Sequence, residues 1–351
     1  MAENDGISKR KADHIEISLQ EDIASSVNPG FDQYRLKNKA LPEINLSDVD
    51  LISEVFGRKL RAPILISSMT GGTERAAALN ELLATAAQEF GIAIGSGSQR
   101  VAIENPDLAA GFNLRKYAPD ALIFANLGAV QLNLGYGLAE CEKAIEIAGA
   151  DALYLHLNPL QEALQPRGDT QFGNLLPKIE AICHQLSVPV VVKEVGWGID
   201  AETARRLADV GVRAIDVAGA GGTSWSQVEM YRETDPIMRA VAADFVHWGI
   251  PTAQCLQELR SAGISLPIIA SGGLRNGMDL AKSLALGASL GGFASPLLKA
   301  ASKGYDQLKA ALTIIQNELQ ICMFACGIQN IHGLTLAALE FLGDEPHLQK
   351  S

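Results

Sequence analysis

The chain has 351 residues, of which 48% are hydrophobic, and 29 lysines and arginines stand against 40 aspartates and glutamates for a formal charge of −11. That composition describes a soluble globular chain with a large core, and its negative charge argues against nucleic acid or an anionic membrane as the main partner, because long-range repulsion opposes both. Any anion site must be local. The five cysteines, Cys141, Cys183, Cys255, Cys322 and Cys326, include no CxxC pair. They read as reduced, mostly buried thiols rather than a zinc site. The polar N-terminus contains no apolar signal core, so a cytoplasmic protein is expected. Glycines, amides or serines interrupt each uncharged stretch, Ala121–Ala139, Ser283–Leu298 and Leu319–Leu339, and none predicts a bilayer span.

In chain order, residues 1–35 form a hydrophilic arm carrying Lys9-Arg10-Lys11 and His14, the only dense basic cluster near either end. The arm is either a solvated tail or a flap that closes over an anionic substrate. From Ala62 onward, short apolar β-rich runs alternate with amphipathic runs, the pattern of parallel βα units. The eight runs are Ala62–Ser67, Ile92–Gly95, Ala121–Ala125, Ala152–Leu157, Pro189–Lys193, Ala214–Val217, Pro267–Ala270 and Leu290–Ala294. Helices are predicted at Glu74–Phe90, Leu138–Ala148, Gly173–Gln185, Ala201–Val210, Pro251–Ala262 and Asn276–Leu286, with a looser connection near Asn105–Tyr117. Eight such units predict an α/β fold, a (β/α)8 TIM barrel with catalytic groups at the C-terminal strand ends. Helical patterning at Tyr305–Cys326 and Leu334–Leu342 adds a C-terminal cap. No Pro/Gly/Ser-rich linker interrupts the chain, so one domain is expected, with the arm at 1–35, the barrel at 62–300 and C-terminal helices at 301–351. The long Gly219–Ile250 connection, with Trp225, Tyr231 and Trp248, is a candidate lid or oligomer contact.

The chemistry gathers at the strand ends. The first run ends Ser67-Ser68-Met69-Thr70-Gly71-Gly72, where small residues let backbone amides approach a planar ligand. The second ends Gly95-Ser96-Gly97-Ser98-Gln99-Arg100, and the third in Asn126. The fourth ends His156-Leu157-Asn158-Pro159-Leu160-Gln161-Glu162, where strand alternation puts His156 and Asn158 on one face and Pro159 stops the strand before Gln161 and Glu162. The fifth ends in Lys193, and an ammonium there implies a negative partner because burying it alone is costly. The last three end Gly219-Ala220-Gly221-Gly222-Thr223, Ser271-Gly272-Gly273-Leu274-Arg275 and Ala294-Ser295. Together they read as a phosphate grip, with Lys193 beside the electron-poor ring of flavin mononucleotide (FMN). Glu162 and the basic arm then serve a second anion, the carboxylate holding Mg²⁺ against a substrate phosphate.

These motifs, together with Arg10-Lys11-x-x-His14, Val192-Lys193-Glu194-Val195-Gly196 and Gly221-Gly222-Thr223-Ser224-Trp225, make the sequence similar to the type 2 isopentenyl-diphosphate isomerases. The resemblance runs from residue 10 to about residue 295. It implies a Mg²⁺- and FMN-dependent enzyme of isoprenoid biosynthesis that interconverts isopentenyl and dimethylallyl diphosphate, its flavin reduced by NAD(P)H without net redox. It also implies a homo-oligomer of four or more copies. Carried across, Ser68, Met69, Thr70, Ser98, Asn126, Lys193, Thr223, Gly272, Gly273, Arg275, Ala294 and Ser295 would hold FMN. Arg10, Lys11, His14, Ser98, Gln99, Arg100, His156, Asn158 and Gln161 would hold the substrate, and Glu162 the magnesium. Proton movement would fall to the reduced flavin, with Gln161, His156 and Lys193 around it and Glu229 as a second acid/base. Ala218 departs from the serine expected in many relatives. Two rivals stand beside this reading: an FMN-dependent 2-hydroxy-acid oxidase or dehydrogenase on the same barrel, and a non-enzymatic phosphate-ligand sensor. The first needs a carboxylate grip with a paired histidine base, which the motifs do not assemble.

Overall fold

The computed structural model describes residues 2–69 and 71–343, with residues 2–9 described by their backbone alone. Three short strands come first: β1 (Tyr34–Leu36), then β2 (Ser53–Val55) and β3 (Arg58–Leu60). β2 and β3 pair antiparallel across Phe56-Gly57, both at positive φ, which is the backbone a two-residue hairpin turn requires. Val55 and Leu60 from this hairpin pack into the bottom of the barrel.

All eight predicted strands form, as β4 (Ile64–Ile66), β5 (Ala93–Gly95), β6 (Ile123–Gly128), β7 (Ala152–His156), β8 (Val190–Lys193), β9 (Ala214–Asp216), β10 (Ile268–Ser271) and β11 (Leu290–Phe293). They close in sequence order, all parallel, with β11 beside β4. The alternation of side chains sorts each run between two cores. Leu65, Ala93, Phe124, Tyr154, Val191, Ala214, Ile269 and Leu290 fill the barrel interior. Their neighbours, among them Ile64, Ile94, Ile123, Leu153, Val192, Ile215 and Ile268, face the surrounding helices. Two residues beyond the interior set, the same inward face carries Ser67, Gly95, Asn126, His156, Lys193, Asp216, Ser271 and Gly292. That ring is the floor of the site.

The helices begin and end where the sequence punctuates them. Thr73, Asp200 and Asn276 cap Glu74–Phe90, Ala201–Asp209 and Gly277–Ala285 by accepting the amides of Ala76, Thr203 and Asp279. The loose second connection is a short helix followed by 3-10 turns at Pro106–Phe112 and Leu114–Lys116. Among the described residues no helix is long and apolar enough to cross a membrane.

Three expectations are corrected. Asn126 does not end its strand, because pairing with β7 continues to Gly128. Leu334–Leu342 is not a helix: after a 3-10 turn at Leu336–Ala338 it becomes β12 (Leu339–Phe341), antiparallel to β1. Nine residues are too few to favour an isolated helix, and the free edge of β1 supplies hydrogen-bond partners. Residues 344–351 of the expected C-terminal helices lie outside the described residues. Finally, the arm is no solvated tail. It folds as the helix Ala2–Gln20 against the barrel mouth, with Ile15 buried. Backbone bonds from Ser25 to Gly222 and from Ser224 to Ile23 then tie its root to the sixth strand end.

The C-terminal helix Tyr305–Ala325 lies very close to Gly277–Ala285, since a Cβ at Gly277 would sit 2.3 Å from the Ile315 carbonyl oxygen. Gly277→Ala is expected to cost about 1–3 kcal/mol through overpacking. A urea titration showing no loss of stability would refute that close approach.

Candidate active site

A cavity of about 520 Å³ opens at the C-terminal ends of the barrel strands, a volume suited to a cofactor or small substrate. Its floor is polar and charged. Lys193, only 7% exposed, donates from Nζ to the Glu194 carbonyl oxygen at 2.6 Å. On the adjacent strand the register places Asp216 beside it, a fully buried carboxylate that accepts from Tyr154 Oη at 3.1 Å and from Ser271 Oγ at 2.5 Å. Burial raises the Asp216 carboxyl, opposed by Lys193 and these hydroxyls. On the other side of Lys193, His156 is held neutral: burial, then Lys193 and Lys11, push its pKa down to about 3. Its Nδ1–H donates to Asn126 Oδ1 at 2.8 Å, which leaves Nε2 as an acceptor.

One flank of the cavity is built by the glycine-rich ends of β9 and β10 and the Ala294-Ser295 turn after β11. Gly272 has φ +95°, and a Cβ there would lie 2.0 Å from the Gly219 carbonyl oxygen, so backbone packs on backbone with no room for a side chain. Gly222, Gly273, Thr223, Arg275, Ala294 and Ser295 line this flank, and Arg275 Nε pairs with Asp279 at 3.3 Å. Ser68 and Met69 line the cavity from the end of β4, and Thr70 lies outside the described residues. The hydroxyls of Ser67 and Ser68 are buried without hydrogen-bond partners.

The opposite flank gathers cations. Lys11 Nζ donates to the Ser98 carbonyl oxygen at 2.8 Å and lies 5.3 Å from the centre of the Phe112 ring. Burial, and then Arg10, push its pKa down to about 7. Arg10 reaches Gln165, and Arg100 pairs with Asp169 at 2.5 Å and Glu104 at 2.7 Å. Beside them Glu162 accepts from Asn158 Nδ2 at 2.9 Å, from the Asp169 amide at 2.8 Å and from Gln165. Burial raises its carboxyl above the ordinary range. Asn158 Oδ1 is buried and unpartnered. Cations depressed by burial next to a carboxylate raised by it describe a cavity that would gain from an anion and a metal together.

Two predicted site residues do not face the cavity. Gln99 is fully buried, its amide donating to the Ala144 carbonyl at 2.7 Å and accepting from the Asn126 amide at 2.9 Å. Both ends are committed to backbone, which corrects its expected role as a substrate ligand. Glu229 lies fully buried behind Gln161 and His14. Burial would raise its carboxyl, but His14, Arg232 and Gln161 outweigh it and hold the pKa at about 2. An ionised carboxylate has no proton to give, and Glu229, fully buried and absent from the cavity lining, does not meet a substrate to take one, which corrects its expected acid/base role. In the long connection, the helix Trp225–Arg232 backs the arm with Pro236–Asp244 packed behind it, and Trp225 meets His14 edge-on at 5.1 Å between ring centres.

An isopentenyl-diphosphate delta-isomerase of Nostoc sp. is 50% identical over 93% of this chain and 93% of its own length. Those of Synechocystis sp. and Rickettsia bellii are 50% and 46% identical, each over 94–95% of this chain and 96–97% of theirs. The chain belongs to the isopentenyl-diphosphate delta-isomerase family. The family model for FMN-dependent dehydrogenases also matches, at residues 157–340. Among solved structures, a Pediococcus acidilactici lactate oxidase superposes with a TM-score of 0.65 at 19% identity, covering 96% of this chain and 94% of its own. A flavocytochrome b2 gives 0.66 at 19% identity over 97% and 86%. These two show the shared barrel alone. This chain and those two proteins thus share a scaffold.

The motif residues of the isomerase family were legible in the chain, but Gln131, Gln165, Trp225 and Ser271 also line the cavity. A two-residue step beyond the interior core points to Ser271 and to the buried Asp216. A four-residue step along a helix from Gln161 points to Gln165. Glu194 stands in the Val192–Gly196 motif with no predicted role of its own. It is buried, and one carboxylate oxygen accepts the amides of Val195, Gly196 and Trp197 at 2.7, 2.7 and 2.5 Å. Burial raises its pKa to about 7 against those amides and Lys193. Because the folded state then binds the proton more tightly than the unfolded chain, stability from this group falls as pH rises from about 4.3 towards that value. Glu194→Gln is expected to flatten this part of the pH–stability curve in the cofactor-free chain. An unchanged slope in denaturation between pH 4.5 and 8 would show that Glu194 ionises normally.

Proposed function

We propose that the chain interconverts isopentenyl and dimethylallyl diphosphate with reduced FMN and Mg²⁺, the flavin being reduced by NAD(P)H and recovered unchanged. The observation that carries this reading is one cavity with two unlike flanks. A glycine-backed grip with a buried lysine stands on one side, and three half-buried cations around the Glu162 carboxylate stand on the other.

The residues fit both groups. Orphaned hydroxyls at Ser67 and Ser68, and strand ends where a Cβ cannot be placed, suit a planar cofactor bound closely by backbone. Ser98, Asn126, Lys193 and the β9–β11 ends would complete its contacts. Among the described residues no three His, Cys, Asp or Glu side chains gather on one point. Glu162 would therefore hold magnesium with phosphate and water completing the shell, the arrangement this hard, strongly hydrated ion favours.

Moving the double bond requires a proton at C4 and the loss of another from C2, with cationic character at C3 between them. Arg10, Lys11 and Arg100 would neutralise the diphosphate, and Lys11 would regain its full charge on meeting it. The arm helix, with Ile15 and Trp225, would exclude water that could trap the cation. Asn158 donates to Gln161 Oε1 at 3.2 Å, which orients the Gln161 amide at the cavity wall. Neutral His156 offers an acceptor and no proton. Lys193, at the floor beside Asp216, would favour an anionic ring above it. Reduced FMN supplies the exchangeable proton and the electron-rich face that no side chain here provides. A cytoplasmic homo-oligomer of four or more copies completes the reading.

An oxidase reading would need a stoichiometric electron acceptor. An assay that follows both allylic product and NAD(P)H separates the two: turnover with reductant present but unconsumed is expected, and consumption matching product would refute the isomerase. Lys193→Ala should weaken FMN binding at least tenfold and disfavour the anionic reduced form, as flavin titration and absorbance would report. Normal affinity and an unchanged spectrum would refute its place beside the ring. Glu162→Gln should keep the fold and the flavin while raising the magnesium requirement sharply, since a neutral amide is a weak ligand for a hard cation. An overlapping magnesium titration would remove Glu162 as the ligand.

A further inference from the structure

Three elements meet on one buried oxygen. Glu229 Oε1 accepts from Gln161 Nε2 at 3.1 Å and from His14 Nε2 at 3.1 Å, while Oε2 pairs with Arg232 Nη1 at 2.5 Å. Gln161 belongs to the helix Pro159–Leu164 at the cavity wall, Glu229 to the helix Trp225–Arg232, and His14 to the arm. The donors are fixed by chemistry. A carboxylate only accepts, so His14 must carry its proton on Nε2 and Gln161 must turn its amide nitrogen towards Glu229. Turning the Gln161 amide over would set its oxygen against the carboxylate and its nitrogen against the Asn158 donor. Glu229 has no exposed surface, so a lost donor is not replaced cheaply by water. Arg232 also faces Asp13 of the arm at 3.6 Å.

We propose that His14 is a positioning residue rather than a diphosphate ligand: closing the arm completes the Glu229 carboxylate and, through the oxygen they share, holds the Gln161 amide in its working orientation. Arm closure and the state of the cavity wall are then one equilibrium. Lifting the arm removes one of the donors on Oε1 and leaves the Gln161 contact to redistribute. Coupling of this kind is reciprocal, so a change at Gln161 must also loosen the arm, although among the described residues Gln161 makes no hydrogen bond to it.

The inference rests on the isomerase reading only for its kinetic readout, and the arm can be followed without turnover. Hydrogen exchange of residues 2–20 would be measured by mass spectrometry in the FMN-loaded full chain and in His14→Ala, Gln161→Ala, Glu229→Gln and the double variants. Gln161→Ala is expected to speed arm exchange about tenfold in the wild-type background and far less beside Glu229→Gln. In turnover, His14→Ala should lower kcat more than it raises KM. His14→Gln, which keeps a donor, should restore part of the loss, and His14→Ala should add little to Glu229→Gln. Arm exchange untouched by Gln161→Ala would overturn the proposal, as would losses from His14→Ala and Glu229→Gln that multiply. A rise in KM alone would return His14 to the diphosphate. If the wild-type chain shows no isomerase turnover yet the exchange coupling holds, the proposed reaction fails and the latch stands.

Discussion

The floor of this barrel holds a lysine ammonium with almost no access to water, and much of the site compensates for it. An uncompensated buried charge costs several kcal/mol, so a cation there needs a partner supplied by the fold. Asp216, one strand away in register, supplies an opposing charge and is itself satisfied by Tyr154 and Ser271, while the lysine nitrogen donates to the Glu194 carbonyl oxygen. Tyr154 therefore serves two layers, its ring filling the interior while its hydroxyl serves the floor. The same lysine helps to discharge His156 on the other side, so that the histidine enters the site as a neutral dipole. Burial first, and this one charge second, bias the protonation of its neighbours around the ring.

What the chain showed in advance follows from what burial demands locally. A parallel strand covered on both faces must be a short apolar run, and glycine, proline and capping residues punctuate the helices around it. All eight strands were legible on those grounds, and so were the polar strand ends. The docking of the arm was not, because its bonds join residues far apart in the chain: Lys11 meets Ser98, and His14 meets Glu229 at a separation of 215 residues. Gln99 sits in a motif that looks outward-facing, yet its amide replaces backbone partners inside the wall. β12 has a helical residue pattern and becomes a strand only because β1 leaves an edge open. In each case long-range contact overrode local preference.

The barrel that this chain shares with oxidases of low sequence identity does little to choose a reaction. Its closed interior is apolar in all the strands, and the choice is made in the few residues beyond it. Here those residues include the Glu162 carboxylate beside Arg10, Lys11 and Arg100, several side-chain amides, a neutral histidine and a covering helix. None of the side chains among them is both protonated and acidic enough to protonate an alkene. That absence is informative beside a fold built around a cofactor, because the protein's own contribution becomes placement, charge balance and exclusion of water.

The root of the arm has a further consequence, for the order in which the chain is made. Ile23 and Ser25 find their backbone partners at Ser224 and Gly222, and Pro29 rests against Gly221. The seat of the arm is translated about 200 residues after the arm itself, a wait on the order of 10–40 s at ordinary synthesis rates. A helix of that length, with a basic cluster in its middle, has little stability alone. The arm therefore cannot dock before the sixth strand end has been made. Until it does, the mouth of the newly formed barrel stands open for its cofactor to enter.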